Sequence, residues 1–284
     1  MKFVKMQGAG NDYIYVDCTD EEIEDPQETA RRISDRHFGV GADGLILICR
    51  SQVADFKMRI FNADGSQAQM CGNGVRCFAK YVYDRGMTKK ETLRIETPAG
   101  IIKPDLHVSA GKVIRVRVNM GRPRLQRAEI PMAGEAGRVI DEPLQVDTKV
   151  VRITAVSMGN PHVVIFVDDV SEVPVGTLGP MIEKHPAFPE RTNVHFVEVV
   201  SPREARQRSW ERGSGETLAC GTGASAALVA GCLNEKLQAE VTVHVRGGIL
   251  EVVWSDDDSI YLTGPAETVF EGEWFDSDTA YQRI

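Results

Sequence analysis

The chain has 284 residues, 42% hydrophobic and 26% charged, the profile of a globular protein with room for one large domain or two of ordinary size. A net charge of −8 without any basic cluster argues against nucleic acid or an anionic membrane as a partner. No apolar run approaches the roughly 18 residues of a membrane span, and the opening MKFVKMQGAGND lacks the apolar core of a signal peptide. A cytoplasmic location is therefore expected, with the six scattered cysteines as reduced thiols and no closely spaced ligand pairs to hold zinc.

The first helix start is Asp25-Pro26-Gln27-Glu28, with Asp as the cap, Pro at the first position and Glu placed for a capping box. Gly39 to Gly44 fits GxGxxG, but a charged segment precedes it and an apolar strand (LILIC from Leu45) follows. A dinucleotide site needs the strand before and the helix after, so that reading is rejected. Past Cys71, Val75, Phe78, Ala79 and Val82 form one helical face, and Gly86 is the expected C-terminal cap. Val113 to Val118 alternates as a strand. The stretch from Met120 to Lys149 has no counterpart elsewhere, which puts the crossover between two domains there. ASAALVAGCL after Cys220 is apolar nearly all round, the pattern of a helix buried on every side. VTVHVR from Val241 and ILEVVW from Ile249 read as strands. Few helices among many short strands give an α+β class in which each sheet wraps one buried helix.

Two motifs, CGNG at Cys71 and CGTG at Cys220, stand 149 residues apart. The same offset relates Gly10-Asn11 to Gly159-Asn160, Tyr13 to His162, Gly44 to Asn193, Asn62 to Glu211 and Asn73 to Thr222. A shared register of this kind is the mark of an internal duplication. It would place the two cysteines in equivalent positions facing a central cleft.

Each of these cysteines stands at the mouth of a helix. The first N–H groups of a helix have no internal partner and carry partial positive charge. Such a site draws a thiol from about 8.5 toward roughly 3.5–7.5, and the same amides hold a carboxylate. An amino acid between two such helices would have its Cα between two sulfurs, one removing a proton and the other delivering one. Carboxylate charge growing in the transition state would rest on the amides. No lysine or phosphate-cup signature for pyridoxal is evident, so no cofactor is expected.

Cys18, Cys49, Cys77 and Cys232 lie in or beside apolar stretches and read as packed, inert thiols. Taken singly, Cys71 and Cys220 could also be packing residues, and Asn11, Asn62, Asn160 and Asn193 turn residues. His107 and His244 read as structural, and His185 and His195 carry no specific signal. His162 draws attention because Gly-Asn-Pro-His opens the second register position.

Five blocks in order carry a family resemblance: KMQGAGNDYIYVD from Lys5, FNADGSQAQMCGNGVRCFA from Phe61, SMGNPHVV from Ser157, RTNVHFV from Arg191 and ERGSGETLACGTGASAA from Glu211. The chain resembles the diaminopimelate epimerases along essentially its whole length. The resemblance implies interconversion of LL- and meso-diaminopimelate in lysine and cell-wall precursor synthesis, without cofactor or metal. It implies two pseudo-symmetric halves, each a β-barrel-like sheet around a central helix, with the active site in the cleft between them and commonly a homodimer. It makes residues 1–119 with 265–284 one domain and 120–264 the other, the tail from Pro265 returning to the first. It assigns Cys71 and Cys220 as the catalytic pair, and His162 and Glu211 as groups tuning the thiols. Substrate contacts are assigned to Asn11, Asn62, Gly72, Asn73, Asn160, Asn193, Glu211, Arg212, Gly221 and Thr222. In that set Arg212 would pair with the carboxylate of the non-reacting end and Glu211 with its ammonium. One position departs: Gly44 stands where some members carry glutamine, so that side-chain contact is lost. Two other readings stay open at this point, a racemase of another amino acid such as proline or histidine, and a redox module with a switchable Cys71–Cys220 disulfide.

Overall fold

The computed structural model describes residues 1–68 and 72–275. The chain separates into two compact units, Met1–Val113 with the segment from Ala266 onward, and Ile114–Pro265. The first unit contains β1 (Lys2–Gly8), β2 (Asn11–Cys18), α1 (Pro26–Ser34), β3 (Gly44–Cys49), β4 (Phe56–Asn62), β5 (Gln67–Ala68), α2 (Gly72–Asp84), β6 (Ile95–Thr97), β7 (Gly100–Ile102) and β8 (Asp105–Ser109). The chain leaves it inside β9 (Lys112–Gly121), upstream of the Met120–Lys149 stretch where the sequence pattern put the crossover. The second unit continues with β10 (Glu142–Val146), β11 (Lys149–Ser157), β12 (Pro161–Val167), α3 (Val175–Glu183), β13 (Asn193–Ser201), β14 (Glu204–Glu211), β15 (Gly215–Thr217), α4 (Gly221–Leu233), β16 (Glu240–Val245), β17 (Gly248–Trp254) and β18 (Ile260–Gly264). The last strand, β19 (Glu267–Glu273), belongs to the first unit and pairs antiparallel with β1.

The sheet of the first unit runs β19-β1-β2-β3-β4-β6-β7, with β5 beside β4. In the second unit the order is β10-β11-β12-β13-β14-β16-β17-β18-β9, with β15 beside β14. Each path has two ends, so the barrel-like sheets are open and not closed. Both hold a central parallel pair, β2/β3 and β12/β13, which has both faces covered. In β2 and β3, Ile14, Val16, Leu45 and Leu47 pack with Ala30 and Ile33 of α1. The alternate side chains turn to the other face, where the Tyr15 hydroxyl donates to the Gly74 carbonyl of α2 at 3.0 Å. In the second unit Val163, Ile165, Val194 and Phe196 pack with Val175 and Ile182 of α3. The opposite face carries α4, buried from Gly223 to Gly231. A strand buried on both faces reads as an unbroken apolar run, which is why LILIC and VVIFV show no alternation.

The duplication is a property of the fold. The 149-residue offset carries Pro26–Ser34 onto Val175–Glu183 and Gly72–Asp84 onto Gly221–Leu233, residue for residue. Tyr13 pairs with Gly44 as His162 pairs with Asn193, so the parallel strands share one register. The turns before β2 and β12 match as well, with Gly10 at φ 85° and Gly159 at φ 94°, a conformation glycine adopts without a Cβ penalty.

Helix ends follow the sequence. The Asp25 carboxylate accepts from the Glu28 N–H at 3.0 Å, and Val75, Phe78, Ala79 and Val82 are all fully buried. After α2, Gly86 takes φ 72° and Met87 N–H closes on the Val82 carbonyl, a glycine-terminated helix. Truncating a fully enclosed side chain of α4 should leave a cavity that the packed strands cannot fill. Leu228→Ala, at 0% exposure, is expected to lower stability by about 2–5 kcal/mol in chemical denaturation. Val269→Ala on β19, at 53% exposure, should stay within about 0.5 kcal/mol of the parent.

Candidate active site

Cys220 caps α4, at the end of a run in which Ala219, Cys220 and the helix beyond it leave no exposed face. The residue is 4% exposed. Burial pushes the thiol well above its ordinary value, and the Glu211 carboxylate beside it pushes in the same direction. The Thr222 hydroxyl, with Oγ1 at 3.6 Å from Sγ, and the Gly223 N–H pull the other way without prevailing. This overturns the expected lowering at a helix start. The helix dipole acts on the sulfur, but removing the thiolate from water costs more than the dipole returns in a dry site. Cys220 is held as a thiol.

Glu211 ends β14 and accepts from the Thr217 hydroxyl at 2.5 Å, which fixes the carboxylate beside the sulfur. The next residue, Arg212, donates its backbone N–H to Asn193 Oδ1 at 3.0 Å and a guanidinium N–H to the Glu190 carbonyl at 2.8 Å. Its side chain is otherwise exposed. Asn193 donates its Nδ2 to the Pro161 carbonyl at 2.8 Å, next to His162. Buried Glu183 of α3 takes the Trp210 indole N–H at 2.7 Å and the Gly213 N–H at 3.2 Å, so both sides of the Glu211-Arg212 turn are anchored.

His162 is wholly enclosed. Its Nε2 lies 2.9 Å from Asn160 Oδ1 and its Nδ1 2.9 Å from His195 Nε2. His195 continues to Ser209 Oγ at 2.9 Å, and Gln207 Nε2 reaches that hydroxyl at 2.9 Å. The His195 ring rests on α4 at Gly223, where an added Cβ would come within 2.3 Å of it. Burial drives both imidazoles down, His195 to about 3, with His195 and Arg212 adding to the effect on His162. Both rings are neutral at physiological pH.

In the first unit, Asn11 donates Nδ2 to Asp43 Oδ2 at 2.6 Å and accepts from Asn73 Nδ2 at 3.4 Å. Asp43 is held in turn by Arg36 at 3.1 Å. Asn62 donates to Ser66 Oγ at 3.0 Å and lies across from Gly44 in the β3/β4 register. A Cβ on Gly44 would fall 2.2 Å from the Phe61 carbonyl and 2.9 Å from Tyr13, so this strand start has room for hydrogen alone. Gly72 and Asn73 open α2, with Asn73 buried. Cys71 lies outside the described residues.

The structure thus ties Asn160, His162, Asn193, Glu211, Arg212, Cys220, Gly221 and Thr222 into one polar group in the second unit. Asn11 and Asn73 meet in the first, and Asn62 stands apart at the β4 end. Cys18 and Cys77 are buried, and burial raises the thiols of Cys18 (to about 12), Cys49 and Cys232. His244 Nε2 lies 2.9 Å from Glu204 Oε1, and His185 faces the Gln145 carbonyl. Sequence reasoning missed His195, Ser209, Gln207, Asp43 and Glu183. For His195 a signal was present, since it falls two residues after Asn193 on one strand and so shares its face. Among the described residues no cluster of His, Cys, Asp and Glu is arranged to hold a metal, and no helix is long and apolar enough to cross a membrane.

Residues 3–126 and 154–269 match the family model for diaminopimelate epimerase. A diaminopimelate epimerase of Pelotomaculum thermopropionicum is 57% identical over 276 residues, covering 96% of this chain and 99% of the relative. One of Moorella thermoacetica is 54% identical over 276 residues, covering 96% and 99%. Among solved structures, a PhzF-family phenazine biosynthesis protein of Bacillus anthracis aligns with TM-score 0.70 at 19% identity, over 97% of this chain and 99% of that one. A probable proline racemase of Agrobacterium radiobacter aligns with TM-score 0.67 at 14% identity, over 99% and 94%. At those identities the likeness is one of fold.

Glu211 and Cys220 yield a sharp expectation. Removing the Glu211 charge removes a group that disfavours the thiolate, so the thiol titration must move down. In Glu211→Gln, alkylation of Cys220 by iodoacetamide, followed by mass spectrometry across a pH series, should begin at lower pH than in the parent. An onset that stays put or moves up would show that the carboxylate does not act on the sulfur.

Proposed function

The chain belongs to the diaminopimelate epimerase family, and is on that ground an isomerase; we propose that it interconverts LL- and meso-2,6-diaminopimelate by a two-base exchange between Cys71 and Cys220. The observation that carries the reading is Cys220, kept protonated at the dry start of α4 with Glu211 against it. A protonated thiol there is an acid ready to deliver to a carbanion. Removal of the Cα proton falls to Cys71 at the equivalent position of the duplication, and the roles exchange for the opposite isomer. The α-carboxylate takes its hydrogen bonds from the amides of Gly221 and Thr222 and those of Gly72 and Asn73, which strengthen as negative charge moves onto it. No cofactor or metal enters the proposal.

Diaminopimelate has two identical amino-acid ends, of which one inverts. The other end requires a carboxylate partner and an ammonium partner. Arg212, exposed apart from its bond to Glu190, supplies the first, and Glu211 and Asn193 the second. A racemase of proline or histidine would have no use for this pair, and a redox module would leave the whole polar group idle. We further propose a homodimer acting in the cytoplasm, in lysine and peptidoglycan precursor synthesis.

Cys71→Ala and Cys220→Ala are each expected to abolish epimerisation, with Cys18→Ala and Cys232→Ala close to the parent rate. In heavy water, from one pure stereoisomer, the product should carry deuterium at the inverted Cα from the first turnovers, while recovered substrate carries almost none. The acid's thiol exchanges with solvent before substrate binds, so the proton removed is not the one returned. Undeuterated product at early times would sink the opposed roles of the two cysteines.

Arg212→Ala should lower kcat/KM for diaminopimelate by about 2 kcal/mol in transition-state terms, the loss of a charge-assisted pair to the substrate carboxylate. An unchanged value in steady-state assays would remove Arg212 from substrate reading.

A further inference from the structure

Five polar side chains of the second unit form a continuous line: Gln207, Ser209, His195, His162 and Asn160. The distances along it are 2.9 Å from Gln207 Nε2 to Ser209 Oγ, 2.9 Å from Ser209 Oγ to His195 Nδ1, 2.9 Å from His195 Nε2 to His162 Nδ1, and 2.9 Å from His162 Nε2 to Asn160 Oδ1. Gln207, Ser209, His162 and His195 are buried. No carboxylate partners either ring among the described residues, so neither has an anion to hold it as a cation.

The line has a direction. The amide nitrogen of Gln207 only donates; it lies 2.9 Å from Ser209 Oγ and 3.3 Å from His195 Nδ1, so Nδ1 faces a donor and accepts, and the Ser209 hydrogen is free to turn toward it as well. A neutral imidazole that accepts at Nδ1 carries its hydrogen on Nε2 and donates there. His195 therefore donates to His162 Nδ1, and His162 by the same step donates from Nε2. What it meets must be an acceptor, and that fixes the amide of Asn160 with oxygen inward. The Asn160 Nδ2 donates to no protein acceptor among the described residues. At the other end His195 lies against Gly223, the third residue after Cys220, so the line is braced on the helix that carries the thiol.

Among its described residues the first unit has no hydrogen-bonded line of this kind. At the 149-residue offset the relay positions become Tyr13, Ile46, Met58 and Ile60, and Asn11 has its nitrogen, not its oxygen, committed to Asp43. The duplicated asparagines are therefore set in opposite senses.

We propose that Gln207, Ser209, His195 and His162 are positioning residues whose directed hydrogen bonds hold the Asn160 amide with its NH2 toward the substrate, making it a donor to carboxylate and not an acceptor from ammonium. This rests on the reading of Asn160 as a substrate contact. It also gives His162 a part other than tuning the thiol, since both its ring nitrogens are engaged.

The first arm of the test is independent of substrate. Long-range proton–nitrogen NMR of the ligand-free protein, with imidazole nitrogen labelled, should show both His162 and His195 as neutral Nε2–H tautomers from about pH 8 down to about pH 5. A Nδ1–H tautomer or a charged ring at either position overturns the proposal. The second arm removes the driving donors together, in Ser209→Ala with Gln207→Leu. Without them the tautomers should become mixed and KM should rise about tenfold to a hundredfold, with a smaller fall in kcat. Ser209→Thr, which keeps the hydroxyl, should retain the parent spectrum and KM. Parent-like KM in a double variant whose tautomers have changed would overturn the positioning role. A parent protein that shows the expected tautomers yet does not turn over diaminopimelate would refute the substrate reading and, with it, the role assigned to Asn160. The directed line itself would stand.

Discussion

The dry N-terminus of α4 governs the rest of the second unit. ASAALVAGCL offers no polar face to water, so the helix must be enclosed on all sides, and the Cys220 cap goes under with it while Gly221 and Thr222 stay partly open. A buried helix start leaves N–H groups without internal partners, and here the cap is a thiol, a poor acceptor. Two consequences follow from one placement. The amides at Gly221 and Thr222 are set to receive an anion, and Cys220 is kept protonated because its thiolate would have to form away from water. Small residues make the enclosure possible: Gly223 lets the His195 ring lie on the helix, and Gly231 admits Leu237.

Duplication supplied two copies of this frame, and divergence wired them differently. The helices and the central parallel strands correspond in span and register at a single offset, so the pattern of elements was kept. The polar groups were not. Asn11 in the first unit is held through Asp43 by exposed Arg36, a charged arrangement at a loop. Asn160 in the second is held through neutral, buried imidazoles. Charges at a loop stay solvated and cost little, whereas the same charges beneath α4 would require a buried partner. The deeper site therefore uses neutral groups, whose hydrogen-bond direction carries the information that charge carries elsewhere.

Much of this was legible in the residues, for identifiable reasons. α1 announced itself through Asp25 and Pro26, and α2 and α4 through a helical face and an unbroken apolar run. α3 was invisible to local pattern because Gly176, Gly179 and Pro180 argue against a helix, yet the duplication offset from α1 marks its span residue for residue. The crossover was misplaced because β9 begins as a strand of one unit and ends in the other, and no break in composition marks that. His195 escaped notice because an isolated histidine in an apolar strand is most simply a packed one. Its meaning appears only when β12 and β14 bring His162 and Ser209 alongside. Gly44 read as a lost contact, and the packing of Phe61 and Tyr13 shows a strand start that excludes any side chain. The depressed thiol failed as an expectation because it weighed the helix dipole, a local property of sequence, without desolvation, which depends on everything packed around the sulfur.

The sign of the charges near Cys220 bears on how a reversible exchange works. A cation beside the thiol would lower it and fix Cys220 as a permanent thiolate, fit to remove protons and unfit to return them. Among the described residues, the groups next to the sulfur are instead an anion, Glu211, and a hydroxyl, Thr222, with neutral His195 packed beneath the helix. That set keeps the proton on sulfur while the site is empty. An amino-acid substrate brings an ammonium, and an ammonium drawn to Glu211 cancels the charge that disfavours the thiolate. Under the proposed mechanism, loading the site would then ease one of the effects that hold the proton on sulfur, burial remaining the larger. Such a thiol could serve as acid for one isomer and base for the other, a balance that a static lowering of its pKa would destroy.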